Sequence, residues 1–198
     1  MFIDTFADPF DAFTALRAEV CRTSPEGFDP DAVVLATAAV DGRPSARVVL
    51  LRSVSRDGLL FYTNYTSRKG IELDANPLAA VCAHWPWLGQ QVRVEGRVAR
   101  ASAPESDAYF ASRPRGSQLG AWASRQSAPL ASRALLEDEW RRVGERFEGG
   151  PVPRPDFWGG YRIVPDRFEF WEEGDSRLHD RLVFTPGLNA WNRRRLSP

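Results

Sequence analysis

The chain has 198 residues, of which 26 are basic and 26 acidic, with 43% hydrophobic and 26% charged content. These are the proportions of a globular protein with one large or two small domains, and the cancelled charge offers no bulk attraction to nucleic acid or an anionic membrane. Met1 to Asp4 supply neither a basic nor an apolar leader, and no apolar run reaches the ~18 residues of a membrane span, so a cytoplasmic location is expected.

Asp8-Pro9-Phe10-Asp11 predicts a helix start, with Asp8 as N-cap and Pro9 in the first turn. Phe13, Leu16 and Val20 follow on one face. After a turn-rich gap at Ser24 to Gly27, strand character takes over from Ala32 to Arg100. The expected strands are Ala32 to Ala38, Ala46 to Val54, Leu59 to Thr63, Ala79 to Trp85 and Gln91 to Ala99. Turns are expected at Asp41-Gly42 and Arg56-Asp57-Gly58. Ser67 reads as the N-cap of a short helix through Leu73 that stops before Asn76-Pro77. In the last of these strands Val92, Val94, Gly96 and Val98 alternate with polar residues, the pattern of a half-buried strand.

Ser102-Ala103-Pro104-Glu105 is a capping box that opens a helix ending near Arg113-Pro114. Arg115 to Ser127 carries a weaker signal, a helical turn at Leu119 to Ala123. A helix is expected from Ser132 to Phe147, with Leu136, Trp140, Val143 and Phe147 on one face. Strand character returns from Asp156 to Trp171, and a final hairpin from Arg181 to Phe184 and Ala190 to Leu196. Strands joined by short turns, without regular crossover helices, predict an antiparallel barrel or sandwich in one domain, residues 1–198.

The charges carry the chemical signal. Arg68 and Lys69 open a helix, where the macrodipole is already positive. Two readings stand: an anion held by the cations and free N–H groups, or two solvated side chains. Arg47 and Arg52 flank Val48-Val49-Leu50-Leu51, which reads as a buried strand. Arg177, His179 and Arg181 share a face if their segment is extended, and then need an anion or an acidic partner such as Asp175 or Asp180. Cys21 and Cys82 share no motif, and His84 and His179 add few ligands, so neither a disulfide nor a metal site is expected. No Gly-x-Gly-x-x-Gly or P-loop occurs.

At these residues the chain resembles the pyridoxine/pyridoxamine 5′-phosphate oxidases, FMN enzymes of the split-barrel fold. The resemblance runs from about Asp8 to the C-terminus. It is carried by Arg47 to Arg52, Phe61 to Lys69, Gln91 to Gly96, Tyr109 to Arg115, Ser117 to Ser127, Phe157 to Arg162, Phe168 to Trp171, Arg177 to Arg181 and Arg195 to Pro198. It implies a mostly-β fold with peripheral helices (α+β), an FMN-binding split β-barrel of antiparallel Greek-key strands.

By the same resemblance, Arg47, Val48, Val49, Leu50, Leu51 and Arg52, with Tyr62, Thr63, Arg68 and Lys69, match FMN-binding positions; Arg68 and Lys69 would hold the ribityl phosphate. Gln91, Gln126, Ser127, Trp171 and Arg181 match the remaining flavin contacts. A homodimer is implied, with contacts divided between the barrel strands and the Gln126-Ser127 segment. Arg52, Tyr109, Arg113 and Ser117 match the substrate-phosphate pocket. Arg177, Leu178 and His179 match substrate contacts, Arg177 and His179 over the pyridine ring as the catalytic pair.

The implied reaction is hydride transfer from C4′ of pyridoxamine or pyridoxine 5′-phosphate to flavin N5. Reoxidation by O2 then gives pyridoxal 5′-phosphate and H2O2. Arg52 stands where the family commonly has Lys, exchanging a point charge for a planar fork. The chain begins almost at its first helix, without the basic, tyrosine-containing arm that covers the substrate in some members, which leaves substrate closure open. Two alternatives remain: a related flavin oxidase of phenazine-type metabolism, and a non-catalytic flavin- or vitamer-binding protein.

Overall fold

The computed structural model describes residues 2–198. Helix α1 (Pro9–Thr23) starts as its sequence requires, with the Asp8 carboxylate accepting from the Phe10 N–H at 2.8 Å. Phe10, Phe13, Leu16 and Val20 are buried along its inner face, in the same core as the sheet.

Nine strands follow among the described residues: β1 (Ala32–Ala38), β2 (Pro44–Leu50), β3 (Ser53–Ser55), β4 (Gly58–Asn64), β5 (Leu78–Trp85), β6 (Gln90–Arg100), β7 (Trp158–Glu172), β8 (Asp180–Pro186) and β9 (Trp191–Leu196). They form one sheet in the order β2-β1-β5-β6-β7-β4-β3, with β8 also paired to β7 and β9 to β8. Every pairing is antiparallel. Strands β2 and β3 lie at opposite ends of this path, yet only Leu51 and Arg52 separate them in sequence. The sheet therefore curls until its ends meet, as the split-barrel expectation requires.

That seam corrects one predicted element. Ala46 to Val54 is not a continuous strand, because the Leu51 N–H bonds back to Asp31 on the β1 side while the Arg52 N–H bonds to Leu60 of β4. The chain changes partners there, so the ladder breaks. Gly58 closes the β3–β4 turn at φ +128°, where a Cβ would also meet the Ile163 carbonyl oxygen at 2.2 Å.

The Val48-Val49-Leu50-Leu51 run is also not buried as expected. Leu51 is 1% exposed but Val48 is 63% exposed, with Val34 opposite it in register at 41%. Strand β2 is an edge, and within one chain its outer face has no covering layer.

Four further helices decorate the barrel: α2 (Arg68–Ala75), α3 (Ala103–Ser112), α4 (Arg115–Ala123) and α5 (Arg133–Arg146). The weakly signalled segment after Arg115 is thus a full helix. Leu119 and Ala123 of α4 bury against Val143 of α5, Phe110 of α3 and Trp158 of β7, forming a second core. The capping box before α3 forms only by half. Ser102 accepts from the Glu105 N–H, while the Glu105 carboxylate turns to Arg162 at 2.5 Å instead of reaching back. No helix among the described residues is long and apolar enough to cross a membrane.

Candidate functional site

The first cluster forms where β4 turns into α2. Ser67 caps the helix by accepting from the Gly70 N–H, and Gly70 is required there because a Cβ would lie 2.1 Å from the Tyr65 carbonyl oxygen. The first-turn N–H groups of Arg68 and Lys69 have no acceptor within the helix. Lys69 Nζ donates to Thr63 Oγ1 at 3.2 Å and to Gln126 Oε1 at 2.9 Å. Burial, reinforced by the neighbouring Arg47 charge, pulls the Lys69 ammonium below its ordinary pKa.

Beneath them lies Glu72, 5% exposed. It accepts from Thr37 Oγ1, from Ser45 Oγ at 2.6 Å, from Arg68 Nε at 2.8 Å and from Arg47 Nη2 at 3.3 Å. Burial raises this carboxyl, but the Ser45, Thr37 and Arg68 hydrogen bonds and the Arg68 charge outweigh it and bring the pKa down to about 2. A cavity of about 740 Å³ opens beside the cluster, lined by Arg68, Glu72, Asn64, Gln126, Ser127 and Phe157 among others. Ser127 adopts φ +72°, a left-handed conformation uncommon outside glycine.

The second cluster sits at the seam. Arg52 pairs with Asp31 at 3.3 Å. Its charge also reaches Arg113, whose pKa falls below the ordinary guanidinium value through burial and then through Arg52. The Arg113 guanidinium lies 4.7 Å from the Trp158 ring centroid, and its Nη1 is buried without a hydrogen-bond partner. Tyr62 stacks on Tyr109 at 3.9 Å and on Trp158 at 5.5 Å, giving a wall of nearly parallel rings. Ser117 lies in the first turn of α4, whose Pro114 cap offers no side-chain acceptor.

The third cluster is a row across β6, β7 and β8, in which Gln91 faces Trp171 and Trp171 faces Arg181. Arg181 grips Glu169 through Nε at 2.9 Å and Nη2 at 2.7 Å, and Nη1 donates to the Ser197 carbonyl. Asp180 pairs instead with Arg195. The expected extended face of Arg177, His179 and Arg181 does not form. Ser176 and Arg177 are left-handed at φ +54° and +64°, making a tight turn that leaves Leu178 74% exposed. His179 folds back, its ring 4.6 Å from Trp171 and its Nδ1 accepting from the Gly174 N–H at 3.3 Å.

One chain does not bring all three clusters together. Tyr62 pairs with Gly160 and Arg181 with Trp171, both on the same edge of β7. Those pairs are separated by roughly 35 Å of extended strand. Gln126, by contrast, reaches the first cluster within its own chain through Thr63 and Lys69. Gln126 thus stands with the barrel strands of its own chain, towards the other end of β7 from the β6–β8 row.

Sequence reasoning passed over Glu72 and Glu169, the two buried carboxylates that organise these arginines. Glu72 stands four residues after Arg68, and Glu169 interrupts the buried aromatics Phe168 and Phe170; both signals were visible. Among the described residues no three His, Cys, Asp or Glu side chains gather where they could hold a metal ion.

Two family profiles match the chain: pyridoxamine 5′-phosphate oxidase over residues 25–147, and the pyridoxine 5′-phosphate oxidase C-terminal dimerisation region over residues 158–198. A pyridoxine/pyridoxamine 5′-phosphate oxidase of Rubrobacter xylanophilus is 57% identical over 171 residues, 86% of this chain and 79% of that protein. One from Myxococcus xanthus is 55% identical over 191 residues, 96% and 92% of the two chains. The crystal structure of PhzG from Burkholderia lata, in complex with tetrahydrophenazine-1-carboxylic acid, is similar with a TM-score of 0.90 at 32% identity, covering 98% and 95% of the chains. A pyridoxamine 5′-phosphate oxidase-related, FMN-binding protein of Nostoc punctiforme shares the fold, with a TM-score of 0.73 at 18% identity over 96% and 97% of the chains.

Proposed function

This chain belongs to the pyridoxamine 5′-phosphate oxidase family, and from that premise we propose that it is a cytoplasmic, homodimeric FMN-dependent oxidase making pyridoxal 5′-phosphate from pyridoxamine or pyridoxine 5′-phosphate. The observation that carries the substrate class is the Arg52–Arg113 pair. Two guanidinium groups near enough to repel, one with a buried unpartnered Nη1, are the surroundings a phosphate dianion relieves. Ser117, in the first turn of α4, would add a hydroxyl donor. A second, separate anion site at Arg68 and Lys69 fits the single terminal phosphate of FMN.

FMN, when bound, supplies the hydride acceptor and returns the electrons to O2 as H2O2. The chain's own contribution is position and charge. Arg68 and Lys69 hold the cofactor phosphate, with Arg47, Thr63, Gln126 and Ser127 around them and the Val48 to Leu51 edge and Tyr62 alongside. Arg52, Arg113, Tyr109 and Ser117 hold the substrate phosphate. Arg177, Leu178 and His179 of a second copy would contact the substrate ring and hold it for reaction with the cofactor, an orientation effect. Gln91, Trp171 and Arg181 of that copy would complete the flavin site, where the Arg181 guanidinium, oriented by Glu169, would favour negative charge on the cofactor.

The likeness to PhzG supports a second reading, a flavin oxidase acting on a tricyclic substrate. The relatives at 57% and 55% identity and the Arg52–Arg113 pair favour the phosphorylated vitamer. Anaerobic titration separates the two. Pyridoxamine 5′-phosphate is expected to bleach the bound flavin, and unphosphorylated pyridoxamine to do so far more slowly. Bleaching only by a reduced tricycle, or by nothing, overturns the proposal. Peroxide release on admitting air excludes a non-catalytic binding protein.

A further inference from the structure

Glu72 is an acidic side chain buried at the edge of a cavity that gathers cations. Its single carboxylate joins three elements: Thr37 of β1, Ser45 and Arg47 of β2, and Arg68 of α2. Arg68 donates to it through Nε, which leaves the two outer nitrogens of a 57%-exposed side chain for another partner. Arg47 is held from both sides, by Glu72 and Ser45 on Nη2 and by Thr37 on Nη1. Against Arg47, Arg68 and Lys69, the one carboxylate leaves a surplus of two positive charges, and Arg125 on the cavity wall adds a third. That surplus is enough to meet the charge of about −1.5 to −2 on a phosphate monoester.

We infer that Glu72 is the positioning residue of the cofactor-phosphate pocket, fixing Arg47 and Arg68 in the geometry that receives a terminal phosphate. This rests on the reading above that the pocket takes FMN. The sign of its effect is diagnostic. Through space, a carboxylate repels a phosphate, so a Glu72 that only opposed the ligand would hold affinity down. A Glu72 that positions arginines holds affinity up.

The test compares FMN with riboflavin, which lacks the phosphate, binding to the apoprotein by fluorescence quenching. In the unaltered protein FMN must bind more tightly than riboflavin; if it does not, the phosphate-pocket reading itself is wrong. Glu72→Gln keeps the volume and removes the charge. It is expected to weaken FMN by about tenfold or more, the scale of one charge-assisted hydrogen bond, and to leave riboflavin unchanged. An equal loss for both ligands makes Glu72 a structural residue only, and unchanged or tighter FMN binding makes it an opposing charge; either result overturns the inference. Should Glu72→Gln fail to fold, Glu72→Asp carries the test. It keeps the charge but withdraws the carboxylate by one methylene from Arg47 and Arg68, and a smaller loss confined to FMN is expected. A loss shared by riboflavin, or none at all, overturns the inference there too.

Discussion

Arg52 lies two residues past the end of β2, at the seam, its side chain 33% exposed and 3.3 Å from Asp31, with Arg113 close enough to feel its charge. Losing a charge-assisted contact to the substrate phosphate costs roughly 1.5–3 kcal/mol. Arg52→Ala is therefore expected to raise KM for pyridoxamine 5′-phosphate by about one to two decades with flavin content intact. Arg52→Lys should recover much of the charge effect and less of the orientation. Steady-state kinetics with pyridoxamine as control decide it: equal impairment of both substrates, or loss of flavin, removes Arg52 from the substrate site. Glu72 gives a pH prediction. Its folded pKa, about 2, lies below the ordinary carboxylate value, so its stabilisation is complete above that ordinary value and is lost as pH falls towards 2. Thermal melts of the apoprotein between about pH 4.5 and 2 should decline more steeply than those of Glu72→Gln.

At the scale of elements, α2 carries the proposed cofactor-phosphate pocket, and its start depends on one glycine. A Cβ on Gly70 would lie 2.1 Å from the Tyr65 carbonyl oxygen and 2.6 Å from its carbon, both backbone atoms that cannot swing aside. Gly70→Ala must push α2 away from the β4 turn, and overpacking of this kind costs roughly 1–3 kcal/mol. Urea denaturation should show that loss in the apoprotein, together with weaker flavin retention as Lys69 moves from Thr63 and Gln126. A variant with unchanged midpoint and flavin content would show that the helix start has room to give. The Ser176–Arg177 turn is the corresponding strained element on the β7–β8 side, with two consecutive left-handed residues that are not glycine. Ser176→Gly should stabilise the protein by about 1 kcal/mol, because glycine does not bear the cost of a left-handed conformation that serine does, and differential scanning calorimetry can measure it.

For the whole molecule, the proposed site divides its residues between two copies, because the clusters lie far apart along β7. Lys69 lies in one proposed half and Arg181 in the other. Lys69→Ala and Arg181→Ala should each be nearly inactive alone. After mixing and reassociation, about a quarter of the unaltered activity should return, because half of randomly mixed dimers carry one intact site of two. No recovery, despite sedimentation showing mixed dimers, would place both residues in one copy's site. The exposed β1–β2 face with Val34 and Val48 is a surface for such a partner to cover. We propose further that the two matched regions unfold as one unit, since β7 of the second pairs with both β6 and β4 of the first. A single calorimetric transition is expected, and two resolved transitions would contradict it.

By itself the sequence determined the elements that local rules govern. Asp8, Ser67 and Ser102 each cap the helix they predict, and Ala32–Ala38 is a strand at the expected bounds. These follow from propensity, capping and periodicity, which act over a few residues. Its ordered motifs also carried the family resemblance, and with it the barrel. What one chain's local signals could not hold is everything set by distant partners. The strand break at Leu51–Arg52 exists because the sheet closes there, and the β2 run is exposed because nothing in the same chain lies over it. Arg181 turns from its sequence neighbour Asp180 to Glu169 because antiparallel pairing of β7 and β8 places that carboxylate beside it. Only the tertiary structure decided which carboxylate organises which arginine, since a charge finds its partner through space, and periodicity says nothing of what lies across the sheet.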